Sequence, residues 1–363
     1  MARIRLDHIR HAYTPDLARA GTYALREVDH SFEDGGAYAL LGPSGCGKTT
    51  LLNIISGLLT PSEGHVRFDD RDVTRLTPEA RNIAQVFQFP VIYDTMTVRE
   101  NLAFPLKNRK VPAAEIRTRV ADMLRRIGLE AKADRKARGL TADEKQKISL
   151  GRGLVRSDVN AILFDEPLTV IDPHMKWQLR SELKQLHREF AMTMVYVTHD
   201  QTEALTFADK VVVMHAGEVV QIGTPEELFE RPRHTFVGYF IGSPGMNILP
   251  CRLEDGAAVV SGARIALPGI LPARTPGRIE LGVRPEFVRI VPRGSGVPVT
   301  IDRVEDVGSE RIVRARLNGA PLSAVLRDDA PIPAEADASF APEGLNLYAE
   351  SWLVERDGRL AHG

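Results

Sequence analysis

The segment from Gly42 to Thr49 has the residue types and the spacing of a phosphate-binding loop. Its sequence, GPSGCGKT, places glycines where backbone N–H groups can turn inward around phosphate oxygens. Lys48 can bring a positive charge to the terminal phosphates of a nucleotide, and the Thr49 hydroxyl can bind Mg²⁺. An apolar strand, AYALLG, runs into the loop, and the helical pattern TTLLNIISGLL follows it, so that a helix N-terminus faces the same anion. The pattern therefore predicts nucleotide binding.

Two acidic residues, Asp165 and Glu166, close the apolar run AILF. An acid at the end of a buried strand is what a P-loop enzyme uses to hold Mg²⁺ beside the phosphates, and Asp165 suits that role. Glu166 lies one residue further, where it can polarise an attacking water. Two solvated acids at a strand end are commonplace, but together with a complete phosphate loop they indicate nucleotide hydrolysis.

Three more side chains could serve the same site. His199 ends the run TMVYVTHD and could hydrogen-bond the γ-phosphate or the attacking water. Gln88 ends NIAQVFQ, and its neutral amide could bind Mg²⁺ or water without adding charge. Tyr13 lies upstream of the loop and could stack on a purine, although a surface tyrosine in a loop is the safer interpretation.

The elements that position these residues predict an α/β fold. The first ~240 residues alternate short apolar runs with helical patterns, and central strands that are apolar throughout indicate a mainly parallel sheet covered on both faces. KVVVMHAGEVVQIG predicts a hairpin, and Thr224 begins a capped helix. Beyond Ile241 the strand candidates RIELGV, FVRIV, RIVRARL and LYAESWLVE predict a small β domain. We therefore expect two domains, residues 1–241 and residues 242–363.

Composition excludes several classes of protein. The 363 residues include 47 Lys and Arg against 48 Asp and Glu, a net charge of −1 that argues against binding nucleic acid or anionic membranes through bulk charge. Two cysteines, Cys46 and Cys251, exclude a disulfide scaffold. The N-terminal sequence MARIRLDHIR predicts no signal peptide, and no apolar run is long enough to cross a bilayer. A role at a membrane would therefore need another chain as the anchor.

The order of these motifs closely resembles the ATP-binding subunit of ABC transporters. The segments GPSGCGKTTLLNIISGLLTPSEGHV, VFQ, FDEPLTVID, VYVTHDQTEALTFADKVVVM, FIGSPGMNILP and LGVRPE are similar to the sugar-importer branch. The resemblance implies an ABC nucleotide-binding domain with a RecA-like core, an antiparallel β subdomain and a helical subdomain at about 95–160. It also implies a C-terminal β domain of the OB/TOBE type.

The resemblance implies a role for each candidate residue. The ATP-binding residues are Tyr13, Gly42, Pro43, Ser44, Gly45, Cys46, Gly47, Lys48, Thr49 and Thr50. The Mg²⁺ ligands are Thr49, Gln88 and Asp165. Glu166 is the catalytic base, His199 the switch histidine, Gln88 the lid glutamine and Asp172 the D-loop acid. Tyr23 competes with Tyr13 for the adenine, because an insertion separates Tyr13 from the loop.

The resemblance also implies ATP and Mg²⁺ as cofactors and a set of partners. These are a second ATP-binding subunit, two transmembrane permease subunits and, indirectly, an extracytoplasmic solute-binding protein, with no nucleic acid. The implied location is peripheral, at the cytoplasmic face of the cell membrane. The implied cargo is a carbohydrate or a polyol such as glycerol or a glycerol phosphate.

One segment departs from the family pattern. Where ABC subunits carry L-S-G-G-Q, this chain has Leu140 followed by Thr141, Ala142, Asp143 and Glu144. In the family this segment offers backbone N–H groups to the γ-phosphate bound by the other subunit. Side chains at 142 and 143 obstruct that approach, and one unit-charge pair at ~4 Å costs on the order of 4 kcal/mol at an effective dielectric constant of about 20. Lys145 and Lys147 could offset part of that charge.

The degenerate segment bears on assembly and on activity. We expect a heterodimer with a paralogous ATPase subunit rather than a homodimer, because a homodimer would contain two damaged composite sites. A nucleotide-binding regulatory subunit with weak intrinsic ATPase activity is the alternative. A soluble ABC ATPase of translation or DNA repair is disfavoured, because those chains usually fuse two cassettes or insert long coiled coils.

Overall fold

The computed structural model describes residues 2–14, 23–156, 158–169, 171–267, 277–355 and 359–361. By its internal contacts the chain divides into two compact units, Met1–Val219 and Val220–Gly363. The domain bounds expected from the sequence, with a division after residue 241, stay a prediction.

The first unit is built on a mixed sheet. Its strands are β1 (Ile4–Ala12), β2 (Tyr23–Phe32), β3 (Ala37–Leu41), β4 (Glu63–Phe68), β5 (Arg71–Asp72), β6 (Ala84–Val86), β7 (Ile162–Asp165), β8 (Met194–Thr198), β9 (Lys210–His215) and β10 (Glu218–Gly223), the last of which continues past Val219 into the second unit. Their order in the sheet is β5-β4-β1-β2-β10-β9-β3-β8-β7-β6.

Along the chain, the α-helices of this unit lie between its strands. They are α1 (Lys48–Ser56), α2 (Pro78–Arg81), α3 (Val98–Asn108), α4 (Ala113–Arg126), α5 (Ala142–Leu154), α6 (Pro173–Phe190) and α7 (Gln201–Phe207). Short 3₁₀ turns lie at Glu130–Lys132 and Ala137–Gly139. Among the described residues, no helix is both long and apolar enough to cross a membrane.

The core of the sheet is parallel, as the apolar runs predicted. Strand β3 pairs in parallel with both β8 and β9, and β7 pairs in parallel with β8 and β6. Every residue of β3 and of β8 is buried, which requires cover on both faces of these strands. Parallel strands share one carboxyl edge, so residues that follow β3, β6, β7 and β8 are brought to the same side of the sheet.

The other half of the sheet is antiparallel. Strand β1 pairs antiparallel with β2 and with β4, and β4 pairs antiparallel with β5. Strands β9 and β10 flank Ala216 and Gly217, both at positive φ, which confirms the predicted hairpin. Together with the parallel core, this arrangement agrees with the expected RecA-like core and antiparallel β subdomain.

Helices α3, α4 and α5 form the helical part of this unit. Thr97 caps α3 and is part of a capping box with Glu100. The buried face of α4 is made by Ile116, Val120, Met123 and Leu124, and Gly128 follows the helix at φ 67°, as the amphipathic pattern predicted.

The second unit is rich in β-strands. They are β11 (Asn247–Pro250), β12 (Arg252–Glu254), β13 (Ala257–Val260), β14 (Ala263–Ala266), β15 (Ile279–Val283), β16 (Val288–Pro292), β17 (Val297–Asp306), β18 (Glu310–Leu317), β19 (Ala320–Arg327), β20 (Ala336–Phe340), β21 (Leu345–Ala349) and β22 (Trp352–Leu353). Before them come helices α8 (Pro225–Glu230) and α9 (Thr235–Phe240), and Thr224 caps α8 in the predicted capping box.

The core of the second unit is shared by several small sheets. The largest has the strand order β16-β20-β17-β18-β19, and smaller sheets have the orders β11-β15-β21-β22 and β12-β13-β14. Leu249, Leu281, Val283, Val313 and Leu317 pack in one buried cluster drawn from these sheets. The four strand candidates beyond Ile241 fall on β15, β16, β18, β21 and β22, which confirms the predicted β domain.

A buried arginine ties down the end of the helix that follows the phosphate loop. Arg81 is 1% exposed, and its guanidinium donates hydrogen bonds to the carbonyl oxygens of Ile54, Ile55, Thr74 and Leu76. Burial lowers the pKa of Arg81 to about 10, and the group remains a cation at neutral pH. A cation at the C-terminus of α1 opposes the partial negative charge of the helix end.

Replacing Arg81 by methionine should therefore unfold the first unit more easily. Several buried carbonyl oxygens would lose their donors at ~1–3 kcal/mol for each group left unsatisfied, so we expect Arg81→Met to lower the free energy of unfolding by about 3 kcal/mol or more. Urea unfolding followed by circular dichroism measures this difference. Exposed Arg75 supplies the control, since Arg75→Met should change the same free energy by less than about 0.5 kcal/mol. Equal losses of unfolding free energy in the two variants would contradict the stabilising role assigned to Arg81.

Candidate functional site

The phosphate loop lies where the buried strand β3 gives way to α1. Lys48 is 5% exposed, and its ammonium donates hydrogen bonds to the carbonyl oxygens of Gly42, at 2.8 Å, and Pro43, at 2.9 Å. These bonds fold the side chain back over the loop. Because α1 begins at Lys48, the unpaired N–H groups of its first turn face the same side as the ammonium.

The space around the loop fits a polyphosphate. A Cβ atom at Gly42 would lie 2.2 Å from the carbonyl oxygen of Met214, and one at Gly47 would lie 2.7 Å from that of Ala24, so both positions require glycine. At Gly45 a Cβ atom would meet nothing within 4 Å. The loop is therefore closely packed at Gly42 and Gly47, near its two ends, and has open space at Gly45. The ammonium of Lys48 and the N-terminus of α1 lie beside that space.

Two oxygen groups suited to Mg²⁺ lie beside the loop. The Thr49 hydroxyl donates a hydrogen bond to Asp165 Oδ1 at 3.3 Å, which joins the first turn of α1 to the end of β7. Burial raises the pKa of Asp165, the hydrogen bond from Thr49 opposes that rise, and the charge of Glu166 adds to it. A hard divalent cation takes such oxygen ligands and would remove this electrostatic cost, so the residues present fit Mg²⁺.

The structure brings His199 and Glu166 into contact. Nδ1 of His199 lies 3.1 Å from Oε2 of Glu166, and the hydroxyl of Thr169 donates to the same oxygen at 3.2 Å. Glu166 has φ 46°, in the left-handed region that non-glycine residues rarely adopt. Its own N–H donates to Val197 O at 3.0 Å, so the strained residue is fixed to β8. Strain of this kind is typical of functional positions.

A buried network supports the strand end that carries His199. Glu203 on α7 is 3% exposed and accepts hydrogen bonds from the hydroxyls of Tyr196, at 3.0 Å, and Thr198, at 2.9 Å. Lys176 Nζ lies 3.4 Å from the other carboxylate oxygen. The network pins the residue immediately before His199. Sequence reasoning missed Glu203, because an acid in the first turn of a helix usually lies in solvent.

Gln88 lies at the same edge of the sheet. Val86 of β6 is opposite Phe164 of β7 in a parallel ladder, so Gln88 follows the end of β6 on the side where Asp165 ends β7. Its side chain is half-buried. Among the described residues, no hydrogen bond joins Gln88 to Asp165 or to Glu166.

The two tyrosine candidates are separated by their contacts. The hydroxyl of Tyr13 lies 2.9 Å from Oγ1 of Thr50 on α1, and the tyrosine is 66% exposed. The hydroxyl of Tyr23 donates instead to Glu63 on β4, at 3.4 Å. Tyr13 is therefore the aromatic ring that lies beside the phosphate-loop helix. Asp172 caps α6 by accepting a hydrogen bond from the N–H of His174 at 2.9 Å.

The degenerate segment begins α5 with a capping box in which its own residues accept hydrogen bonds from its backbone N–H groups. Thr141 is the N-cap of α5, its Oγ1 accepts from the N–H of Glu144 at 3.3 Å, and the carboxylate of Glu144 accepts from the N–H of Thr141 at 3.1 Å. Lys132 donates to Glu144 and holds the pKa of that carboxyl below its ordinary value. Asp143 Oδ1 is buried without a hydrogen-bond partner in the described part of the chain, and Ala142 is exposed.

Comparison with known proteins decides the family. The family sequence model for ABC transporters matches residues 25–169, the one for the MalK OB fold domain matches 242–288, and the one for the TOBE domain matches 281–341. The sn-glycerol-3-phosphate import ATP-binding protein UgpC of Brucella abortus biovar 1 is 42% identical over 329 residues, which cover 89% of this chain and 90% of the relative. UgpC of Ruegeria pomeroyi is 39% identical over 351 residues, covering 96% and 97%. The chain belongs to the ATP-binding subunits of ABC transporters.

Solved structures agree with that assignment. This ABC subunit is 28% identical to cbiO1 of Clostridium perfringens, part of the ABC transporter complex cbiONQ, with a TM-score of 0.57 over 63% of this chain and 90% of that one. It is also 28% identical to the ATP-binding cassette MJ0796, solved as a dimer bound to ADP and Pi, with a TM-score of 0.54 over 61% and 98%. The protein is an ATP hydrolase, and its expected ABC, OB and TOBE architecture is confirmed.

The glycine pair of the phosphate loop gives this ABC subunit a matched test. Gly47 and Gly45 both have positive φ, 101° and 79°, but only Gly47 has a backbone oxygen in the way of a side chain. We expect Gly45→Ala to cost only the strain of the left-handed conformation, ~1–2 kcal/mol of unfolding free energy.

Gly47→Ala should lose about 1–3 kcal/mol more, because the loop must shift to relieve the clash. Nucleotide affinity should fall with it, since Lys48 follows directly. Thermal unfolding and titration with a fluorescent ATP analogue measure both effects. Equal unfolding free energies for the two variants would argue against the packing described here.

Proposed function

We propose that this chain hydrolyses ATP to drive import of a small polar solute of the carbohydrate or glycerol-phosphate class. The solute class rests on the relatives, which are sn-glycerol-3-phosphate import ATP-binding proteins matched over almost their whole length. The observation that carries the hydrolytic part is the contact of Glu166 with His199 at the same sheet edge as the phosphate loop and Asp165. Four strand ends converge there on one substrate.

Each residue has a distinct task in this proposal. Lys48 and the N–H groups of the loop bind the β- and γ-phosphates, while Tyr13 stacks on the adenine. Thr49, Asp165 and Gln88 would hold Mg²⁺, which when bound neutralises charge on the phosphate oxygens. Glu166 orients a water for attack on the γ-phosphorus and accepts its proton, as the bond from that phosphorus to the β,γ-bridging oxygen breaks and ADP leaves. His199 holds the Glu166 carboxylate through Nδ1–H.

The permeases form the second part of the proposal. Phe89 and Val91, just beyond Gln88, are 69% and 56% exposed, and Tyr93 is 40% exposed. The guanidinium of Arg152 lies 4.9 Å from the ring of Tyr93 and also donates to the carbonyl of Val91, so this apolar surface is held in place from α5. We assign it to the cytoplasmic loops of two permease subunits. The chain then acts as a peripheral subunit at the cytoplasmic face, with a solute-binding protein on the other side.

The first turn of α5 supports a heterodimer. A γ-phosphate from a neighbouring subunit would meet a helix start where the capping box already uses the N–H groups of Thr141 and Glu144, with the carboxylate of Asp143 beside it. Anions are favoured at a helix N-terminus only where no acid already occupies it. We therefore propose that this chain pairs with a paralogous ATPase subunit. The intact L-S-G-G-Q segment of that subunit would contact the nucleotide at this chain's phosphate loop. The same observation favours, as the second candidate, a regulatory subunit with weak ATPase activity.

Glu166→Gln tests the catalytic base. The amide keeps the size of the side chain but accepts a proton poorly, so we expect turnover to fall by about 10²-fold or more while ATP still binds. Steady-state ATPase assays in the complete transporter and equilibrium ATP binding measure the two quantities. Glu182→Gln, at a half-buried position on α6, is the matched control and should keep full turnover. Unchanged turnover in Glu166→Gln would refute the role.

The double substitution Ala142→Gly with Asp143→Gly tests the role of the degenerate segment. Removing one unit charge and two side chains should lower the activation free energy of hydrolysis by ~1.4 kcal/mol or more. That change corresponds to a rise of about ten-fold or more in the ATPase activity of the isolated chain. Ala114→Gly with Glu115→Gly makes the same change in the first turn of α4 and should leave activity unchanged.

The same assay separates the two assemblies. If the parent chain alone already matches the restored variant, the heterodimer proposal fails. Stimulation of the parent chain by a co-purified paralogue, but not by a second portion of itself, would support it.

A further inference from the structure

A single buried amide on helix α5 lies beside the two segments that carry Glu166 and Gln88. Gln146, on the second turn of α5, is completely buried. Its Nε2 donates to the carbonyl oxygen of Pro167 at 2.7 Å and to that of Phe87 at 3.2 Å. Both neighbours are acceptors, so the NH₂ group and not the oxygen of the amide must face them.

Each of these carbonyl groups belongs to a residue next to one of the proposed site: Phe87 precedes Gln88, and Pro167 follows Glu166. The carbonyl of Phe87 belongs to the same planar peptide group as the N–H of Gln88, so fixing one fixes the other. Pro167 directly follows Glu166, whose φ of 46° must be maintained by its surroundings. One side chain therefore constrains the backbone at the lid glutamine and at the catalytic carboxylate together.

The burial of Gln146 is not explained by packing alone. In the described part of the chain its Oε1 has no hydrogen-bond partner, although the atom is buried. A leucine would fill similar space and avoid the unsatisfied Oε1, but it would leave the carbonyl oxygens of Phe87 and Pro167 without this donor. The amide has one use at this position that an apolar side chain cannot supply, namely donation to two backbone oxygens at once.

Helix α5 is seated closely enough to transmit small shifts. A Cβ atom at Gly153 would lie 3.2 Å from a methyl group of Val86 on β6, and one at Gly151 would lie 2.7 Å from Leu102 on α3. The helix thus packs directly on the strand that leads to Gln88. Movement of its first turn cannot be absorbed by loose packing and reaches both segments through Gln146.

We propose that Gln146 is a positioning residue for ATP hydrolysis. It holds Gln88 and Glu166 in register with each other, and it couples them to the first turn of α5, where the neighbouring subunit's nucleotide binds. Each subunit thereby adjusts its own hydrolytic residues to the nucleotide state of its neighbour. This inference rests on the roles proposed above for Glu166 and Gln88.

Gln146→Leu tests the positioning role through a split between kcat and KM. Across the residues that the structure describes, no hydrogen bond joins the phosphate loop to Gln146, so KM for ATP should change by less than about two-fold. We expect kcat in the complete transporter to fall between about ten-fold and a hundred-fold, because small displacements of catalytic groups have costs of that order.

Gln146→Glu supplies a readout that a merely structural role would not move. Burial beside two carbonyl oxygens raises the pKa of the introduced carboxyl. Its neutral form can donate one of the two hydrogen bonds, whereas its ionised form repels both oxygens. The kcat of this variant relative to the parent should therefore rise as the pH falls from about 8 to about 6, while the ratio for Gln146→Leu stays flat.

Gln221→Leu is the matched control. Gln221 is also buried, donates to Arg231 O at 3.1 Å and accepts from the N–H of Arg233 at 2.8 Å, all within the second unit. It should lose stability but keep kcat. The proposal is overturned if Gln146→Leu keeps the parent kcat, or if the Gln146→Glu ratio is independent of pH. Should Gln146→Leu fail to fold, the pH ratio alone decides. Turnover retained by Glu166→Gln would instead remove the proposed function on which the inference rests.

Discussion

Balance of charge at one edge of a parallel sheet is the constraint on which the rest of the first unit depends. The acidic residues Asp165 and Glu166 are consecutive at this edge, and a bound triphosphate would add further negative charge beside them. At an effective dielectric constant of about 20, each uncompensated pair of unit charges at ~4 Å costs about 4 kcal/mol. The compensating positive charge comes from Lys48, held by two loop carbonyls, and from the N-terminus of α1, while Nδ1 of His199 lies 3.1 Å from the Glu166 carboxylate. These groups come from different strand ends, so the fold must bring the ends together before the chemistry is possible.

Sequence reasoning found the residues whose position depends on local pattern and on parallel topology. The loop between β3 and α1 has a spacing that few other structures share, and apolar runs ending in Asp165 and His199 predict buried parallel strands with a common edge. The hairpin at Ala216 and the capped helix at Thr224 followed from turn and capping chemistry. These features are written in short stretches of sequence, where backbone sterics and hydrogen bonding leave few alternatives.

The supporting residues could not be predicted, for a physical reason. Glu203 and Gln146 are ordinary polar residues in helices, and their local sequence is equally compatible with a solvated face. They become buried because the helices pack on β8 and on β6, and partners far apart in sequence then satisfy them. Gln146 bonds to residues 59 and 21 positions away. No periodicity or spacing encodes such a partnership, so only the three-dimensional arrangement shows it.

The first and second turns of α5 differ in what they contribute to this chain. Its first turn has the acids and the self-contained capping box that disfavour a neighbour's phosphate, yet its second turn keeps the amide that reaches the Glu166 and Gln88 segments. If the helix had lost its part in hydrolysis altogether, a buried glutamine with an unsatisfied oxygen would be a poor choice for its core position. Under the heterodimer proposed above, the chain would use ATP at its own phosphate loop while the acidic first turn of α5 gives little to the loop of the other subunit. On that proposal, the chemistry of one helix constrains which second subunit can pair with this chain.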